Sequence, residues 1–164
     1  MKILRDFSHV EDASAWPSQN DGVMGGVSTG QAEMRNGILR FFGEISLENN
    51  GGFAQVYSPT EKSDFSDFSQ VRLRIKGDGR TYQFRMATED RFRGSRIAYR
   101  SEFATEDGEW TEVTLPFDSF VPSHHGRILS GPELDLTSVR QIAFLLADGN
   151  AGEFDLQVDW IGLE

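Results

Sequence analysis

Two polar, glycine-rich runs hold the residues best suited to chemistry or to molecular contact. The first is Asn20-Asp21-Gly22-Val23-Met24-Gly25-Gly26-Val27-Ser28-Thr29-Gly30, and the second is Leu47-Glu48-Asn49-Asn50-Gly51-Gly52-Phe53-Ala54. The amides and carboxylates of Asn20, Asp21, Glu48, Asn49 and Asn50 are of the kind that hydrogen-bond sugar hydroxyls or a peptide backbone. They could also offer oxygens to a hard cation such as calcium. Met24, inside the first run, is taken with them as a candidate binding residue. The competing reading is turn chemistry, in which Asn and Asp satisfy nearby backbone groups and glycine reaches conformations closed to other residues. A shared site requires the two runs to meet. The first run is not a phosphate loop, because it lacks the Lys-Ser/Thr ending and a preceding buried strand. No strand–helix context makes it a dinucleotide fingerprint.

A third candidate is electrostatic. Between Arg72 and Arg100 the chain carries nine Lys/Arg and three acids, although its net charge is −10. Arg72, Arg74 and Arg85 are the candidate contact residues of an anion or acidic-partner patch. The alternative is solvated strand faces that offset the acidic remainder. The overall acidity disfavours nucleic acid and anionic lipid as partners.

Other chemistries find little support. The chain has no cysteine, which removes disulfides, thiol catalysis and zinc–thiolate sites. His124 and His125, on an extended chain, are expected to point to opposite sides, with no acid or cysteine at ligand spacing. No metal and no cofactor are therefore expected, and His9 reads as an ordinary surface or edge residue. There is no Gly-x-Ser-x-Gly elbow. Carboxylates are plentiful, but no pair is marked out by its surroundings. The expectation is a binding module that is not an enzyme.

The elements that must position these residues are short strands. The length of 164 residues suits one domain, 1–164. Strand-like runs are expected at Gly37–Leu47, Gly52–Ser58, Val71–Lys76, Tyr82–Ala87, Ser95–Phe103, Glu109–Leu115, Val139–Leu146 and Glu153–Ile161, broken by turn residues. Asp135–Ser138 reads as a short turn or a single helical turn. Gly43 reads as a bulge or a close-packing point. Val71, Leu73 and Ile75 alternate with Arg72, Arg74 and Lys76. After Gly77-Asp78-Gly79, a strong hairpin signal, Tyr82, Phe84 and Met86 continue the alternation. These two runs predict a hairpin with one apolar and one basic face. Trp16, Trp110 and Trp160, with thirteen Phe, are expected mainly in packing. The fold class is all-β, a two-sheet antiparallel jelly-roll sandwich with little helix. No apolar run reaches the ~20 residues of a membrane helix. The charged start Met1-Lys2-Ile3-Leu4-Arg5-Asp6 lacks a secretory h-region, so a cytoplasmic location without membrane insertion is expected.

Trp16 followed by Asn20-Asp21-Gly22-Val23-Met24-Gly25-Gly26-Val27-Ser28 resembles the opening signature of the complex I intermediate-associated protein family. Phe41 and Gly43 followed by Ser46-Leu47-Glu48-Asn49-Asn50-Gly51-Gly52-Phe53-Ala54 resemble its second signature. Gly77-Asp78-Gly79-Arg80 with Tyr82, then Trp110, Leu115-Pro116-Phe117 with Phe120, and Gly152-Glu153-Phe154 follow in the same order. The resemblance covers almost the whole chain. It implies a galactose-binding-like jelly roll, an architecture shared with many carbohydrate-binding modules. It also implies a chaperone-like assembly-factor role, with a protein partner during assembly of a respiratory or other membrane complex. It supplies no catalytic residues. A carbohydrate or other small ligand on a sheet face is the alternative.

Overall fold

The computed structural model describes residues 1–9 and 16–164. Alternation along each strand decides the architecture. In Gln70–Lys76, Val71, Leu73 and Ile75 are fully buried while the intervening Arg72, Arg74 and Lys76 face outward. Burying one face of each strand against a second sheet is the stable solution for such a pattern.

Twelve strands are formed among the described residues: β1 (Lys2–Arg5), β2 (Thr29–Arg35), β3 (Ile38–Ile45), β4 (Ala54–Tyr57), β5 (Gln70–Lys76), β6 (Thr81–Phe92), β7 (Ser95–Ala104), β8 (Trp110–Pro116), β9 (Val121–His124), β10 (Arg127–Ile128), β11 (Gln141–Leu146) and β12 (Gly152–Leu163). They make two antiparallel sheets. The first has the order β2-β3-β12-β5-β8, with β1 alongside the end of β12, and the second β10-β9-β7-β6-β11-β4. Among the described residues, helix is confined to short 3-10 turns such as Leu136–Ser138, where the Asp135 carboxylate accepts the Thr137 amide. The two sheets and sparse helix are the expected jelly-roll sandwich. Strands β1, β2, β9 and β10 went unpredicted: they are short or polar, and β2 reads as the tail of a glycine run.

The expected hairpin is absent. β5 pairs with β12 and β8 in the first sheet, and β6 pairs with β7 and β11 in the second. Gly77-Asp78-Gly79 is a corner that carries the chain from one sheet to the other. Alternation marks a strand's apolar face, not its neighbour, so this corner and a hairpin look alike in sequence. Asp78 holds it: its carboxylate accepts bonds from the Arg80 amide (3.1 Å), the Tyr82 hydroxyl (2.9 Å) and the Asp155 amide (2.8 Å). A Cβ on Gly77 would lie 2.2 Å from the Thr105 side chain. Arg72 and Arg74 therefore face away from Arg85, on opposite sides of the sandwich.

Gly43 sits where β2 crosses closest to β3. A Cβ there would lie 2.1 Å from the Thr29 carbonyl oxygen and 2.8 Å from the Gly30 Cα. Backbone cannot yield as a flexible side chain can. Gly43→Ala is expected to lower unfolding stability by about 3 kcal/mol through overpacking. Gly22→Ala, which meets nothing within 4 Å, should stay within about 0.5 kcal/mol of the parent. Urea titration of both variants checks the contrast.

Candidate functional site

The two glycine-rich loops meet at the rim of the sandwich, and Asp21 is the reason. Its side chain is fully buried. Oδ1 accepts the Ser28 amide at 2.9 Å, and Oδ2 accepts the amides of Gly52 at 2.6 Å and Phe53 at 3.3 Å. The glycines make room for it: a Cβ on Gly26 or Gly51 would lie 2.5 or 2.6 Å from Asp21 carboxylate atoms. Asn20 donates to the Gly30 carbonyl (3.1 Å) and accepts the Gln55 amide. Asn49 donates to the Gly25 carbonyl (3.0 Å), and the Ser28 hydroxyl bonds both ways with the backbone of Ser46. Asn49 and Asn50 take left-handed φ of 57° and 59°, which asparagine tolerates well.

Burial alone would raise the Asp21 pKa. The Gly52 amide, Ser28 and the Phe53 amide outweigh it and hold the carboxyl below the ordinary aspartate value. Three amide donors take most of the carboxylate's lone-pair sites and turn it toward the backbone it braces. Among the described residues, no group of three or more His, Cys, Asp or Glu could hold a metal ion.

Asp21 is thus interior, whereas Glu48, Asn49 and Asn50 are exposed. Met24 is exposed as well, at 60%, and it has company. On the same two loops Val23 is 69%, Val27 51% and Leu47 47% exposed. These apolar side chains stand in solvent on a backbone that the Asp21 hydrogen bonds hold in shape. Sequence reasoning named Met24 and missed the other three. Their signal was apolar residues in polar loops, set between glycines for Val23 and Val27 and between Ser46 and Glu48 for Leu47.

The arginines divide between the two outer faces. On the first sheet, Arg72 pairs with Glu112 (3.0 Å) and Glu164 (3.5 Å), and Arg74 with Asp159 (3.1 Å) beside the Trp110 ring. On the second sheet, Arg85 donates to Gln55 (3.2 Å) and Ser123 (3.4 Å) and lies opposite Arg100. Beside them an open groove of about 510 Å³ is lined by Arg80, Gln83, Glu102 and Asp148. Arg80 is tied to Asp148 (2.7 Å) and to the carbonyls of Gly152 and Glu153. His124 and His125 do not diverge as expected. His125 has φ 49°, which turns its ring onto His124 at 4.0 Å between centroids, and His124 Nε2 lies 2.6 Å from the Ser95 hydroxyl.

Two stacked antiparallel sheets with an exposed loop rim and a polar, grooved outer face define a jelly-roll β-sandwich. The fold superimposes on the family 11 carbohydrate-binding module of Clostridium thermocellum, solved with a mixed-linked β-1,3-1,4 tetrasaccharide. The TM-score is 0.72 at 22% identity, over 99% of this chain and 94% of that one. A family 30 carbohydrate-binding module aligns at TM-score 0.57 and 17% identity, over 85% of this chain and 92% of the other. At these identities the likeness is one of fold. In sequence, the complex I intermediate-associated protein 30 family matches residues 5–158, and the chain belongs to that family. The mitochondrial complex I intermediate-associated protein 30 of Mus musculus is 28% identical over 99% of this chain and 56% of its own length. The Drosophila melanogaster protein of the same name is 23% identical over 99% and 57%. The chain thus spans a little over half the length of these relatives. Their names overturn the cytoplasmic expectation. The relatives are mitochondrial proteins, and a charged N-terminus without an apolar run said nothing about that compartment.

Asp21→Ala removes the acceptor of three amides and should cost about 3 kcal/mol of unfolding stability. Asn49→Ala removes one exposed bond and should cost under about 1 kcal/mol. Because the folded-state pKa of Asp21 is depressed, its contribution is complete above the ordinary aspartate pKa of 3.8 and is lost as pH falls through the lower folded value. Thermal melts of Asp21→Asn and parent should therefore converge as pH drops below about 3.8.

Proposed function

We propose that this chain is a non-catalytic module that binds a protein partner during assembly of respiratory complex I. The observation that carries the reading is the apolar rim of Val23, Met24, Val27 and Leu47, exposed on a backbone made rigid from beneath. Apolar side chains exposed on a rigid backbone bind at low ordering cost, and several of them on two adjoining loops offer a partner apolar area to bury. Family membership supplies the context: the relatives are named for association with a complex I intermediate. Charged groups around the rim would speed encounter more than they tighten the complex.

Carbohydrate binding is the second reading, favoured by the groove beside Gln83 and Glu102 and by the fold neighbours. Against it, Tyr57 is the one aromatic that β4, β6, β7, β9 and β11 point outward around that groove. Sugar platforms draw much of their affinity from aromatic faces. Binding on a glycan array, abolished by substitution at Gln83, would favour this reading over the first.

Affinity capture from detergent-solubilised membranes of the source organism tests the first reading. The tagged parent chain should enrich complex I subunits, identified by mass spectrometry. The triple change Val23→Ser, Met24→Ser, Leu47→Ser should cut that recovery at least about tenfold, as expected for central apolar contacts. Its melting temperature should stay near the parent's, since these side chains leave no cavity. No enrichment over the tag alone would defeat the reading.

A further inference from the structure

The outer face of the second sheet keeps its positive charge unneutralised. β6 and β7 place Arg85 directly opposite Arg100, and Arg91 directly opposite Arg96. Arg96 and Arg100 share one face of β7, because side chains repeat every second residue. Like charges directly opposite each other destabilise a sheet. No carboxylate lies within 4 Å of any of these four guanidinium groups among the described residues, whereas Arg35, Arg40, Arg72 and Arg74 of the first sheet each have an acidic partner. The chain has 26 acids for 16 Lys/Arg, so counter-ions are in surplus and are still not placed here.

Like Arg72 of the first sheet, Arg85 also keeps its Nε buried with no hydrogen-bond partner, and neighbouring Gln83 has a buried, unpartnered Oε1. Burial, and then Arg100, pull the Arg85 pKa down to about 10. Gln83 and Arg85 lie two residues apart on one face of β6, so an unpartnered acceptor and donor sit beside the Arg85–Arg100 pair, and a ligand that brings both an anion and an N–H satisfies them once these side chains turn outward.

We propose that the β6–β7 outer face receives an extended acidic peptide segment of a partner protein, one carboxylate over the Arg85–Arg100 pair and another over the Arg91–Arg96 pair. This rests on the protein-partner reading above and names the chemistry of the partner. A carboxylate meets guanidinium groups in bidentate fashion, and a peptide amide supplies the N–H that Gln83 lacks, which phosphate does not. Glu102, directly opposite Gln83 on the same face, repels a dense polyanion and tolerates two spaced carboxylates. The separation from Arg96 to Arg100 is about 13 Å along an extended strand, so glutamates four residues apart in an extended peptide match it.

The test is titration of the ¹⁵N-labelled chain with a blocked Gly/Ser peptide carrying two glutamates at that spacing, followed at the arginine Nε–H resonances. The glutamine counterpart of the peptide, inorganic phosphate and glucuronate are the comparison probes. The acidic peptide should bind and shift the Arg85 resonance. Its glutamine counterpart should bind at least tenfold more weakly. Arg85→Gln and Arg100→Gln should each weaken the acidic peptide at least tenfold. Both variants should melt at or above the parent temperature, because each relieves a like-charge pair; a purely structural arginine would lower it. Absence of peptide binding, equal binding of both peptides, undiminished binding by the variants, or a preference for phosphate or glucuronate overturns the proposal. Capture of complex I subunits separates the two claims. Equal capture by parent and Arg85→Gln sinks this site and leaves the assembly reading standing. Peptide binding without any such capture does the reverse.

Discussion

Aromatic rings from the two sheets meet edge to face at the centre of the sandwich. Phe41 and Phe154 come from the first sheet, 4.8 Å apart, and Phe41 reaches Tyr82 of the second at 6.3 Å. Within the second sheet Phe84 meets Phe144 at 5.4 Å, and Trp16 stacks on the same Phe144 at 6.1 Å. Each such pair adds about 1 kcal/mol beyond the area it buries. Once that layer is sealed, every second residue of a strand points to solvent. The chemistry of the molecule is then whatever those outward residues and the connecting loops present.

The two outer faces differ in kind. The first sheet is a mosaic of paired charges, with Arg40 held by Asp155 and Glu33 and lying over Phe42. Exposed pairs of this sort contribute little each, but they give Arg35, Arg40, Arg72 and Arg74 each an acidic partner. The second sheet leaves cross-strand arginine pairs open and a buried guanidinium nitrogen unused. Buried polar atoms without a partner occur on both sheets, at Arg72 Nε and Thr111 Oγ1 of the first and at Arg85 Nε and Gln83 Oε1 of the second, so the faces differ in whether their arginines have carboxylate partners.

The loop rim works by the opposite device. Asp21 is fully satisfied, and what it supports is apolar. A carboxylate that looked like a ligand in the sequence serves as an internal brace. The apolar residues exposed on these loops are Val23, Met24, Val27 and Leu47, of which the sequence marked Met24 alone.

Much of the architecture was legible in the linear chain, because burial of one strand face imposes a period of two that composition and turns cannot hide. The strands at Val71–Lys76, Tyr82–Ala87 and Val139–Leu146 were visible for that reason, as were the corner glycines. The family was legible as well, in glycines whose spacing reflects how tightly backbone wraps around Asp21 and Asp78. Strand partners were not, since alternation carries no information about which neighbour lies across the ladder. That single gap turned a sheet-to-sheet corner into an apparent hairpin and merged two arginine groups into one basic face. Which charges are cancelled, and which side chains of a loop end up inside, depend on residues distant in sequence: Glu112 and Asp159 against Arg72 and Arg74, Gly52 and Phe53 against Asp21. Only the tertiary structure decides those, because Coulomb and hydrogen-bond energies depend on distance in space.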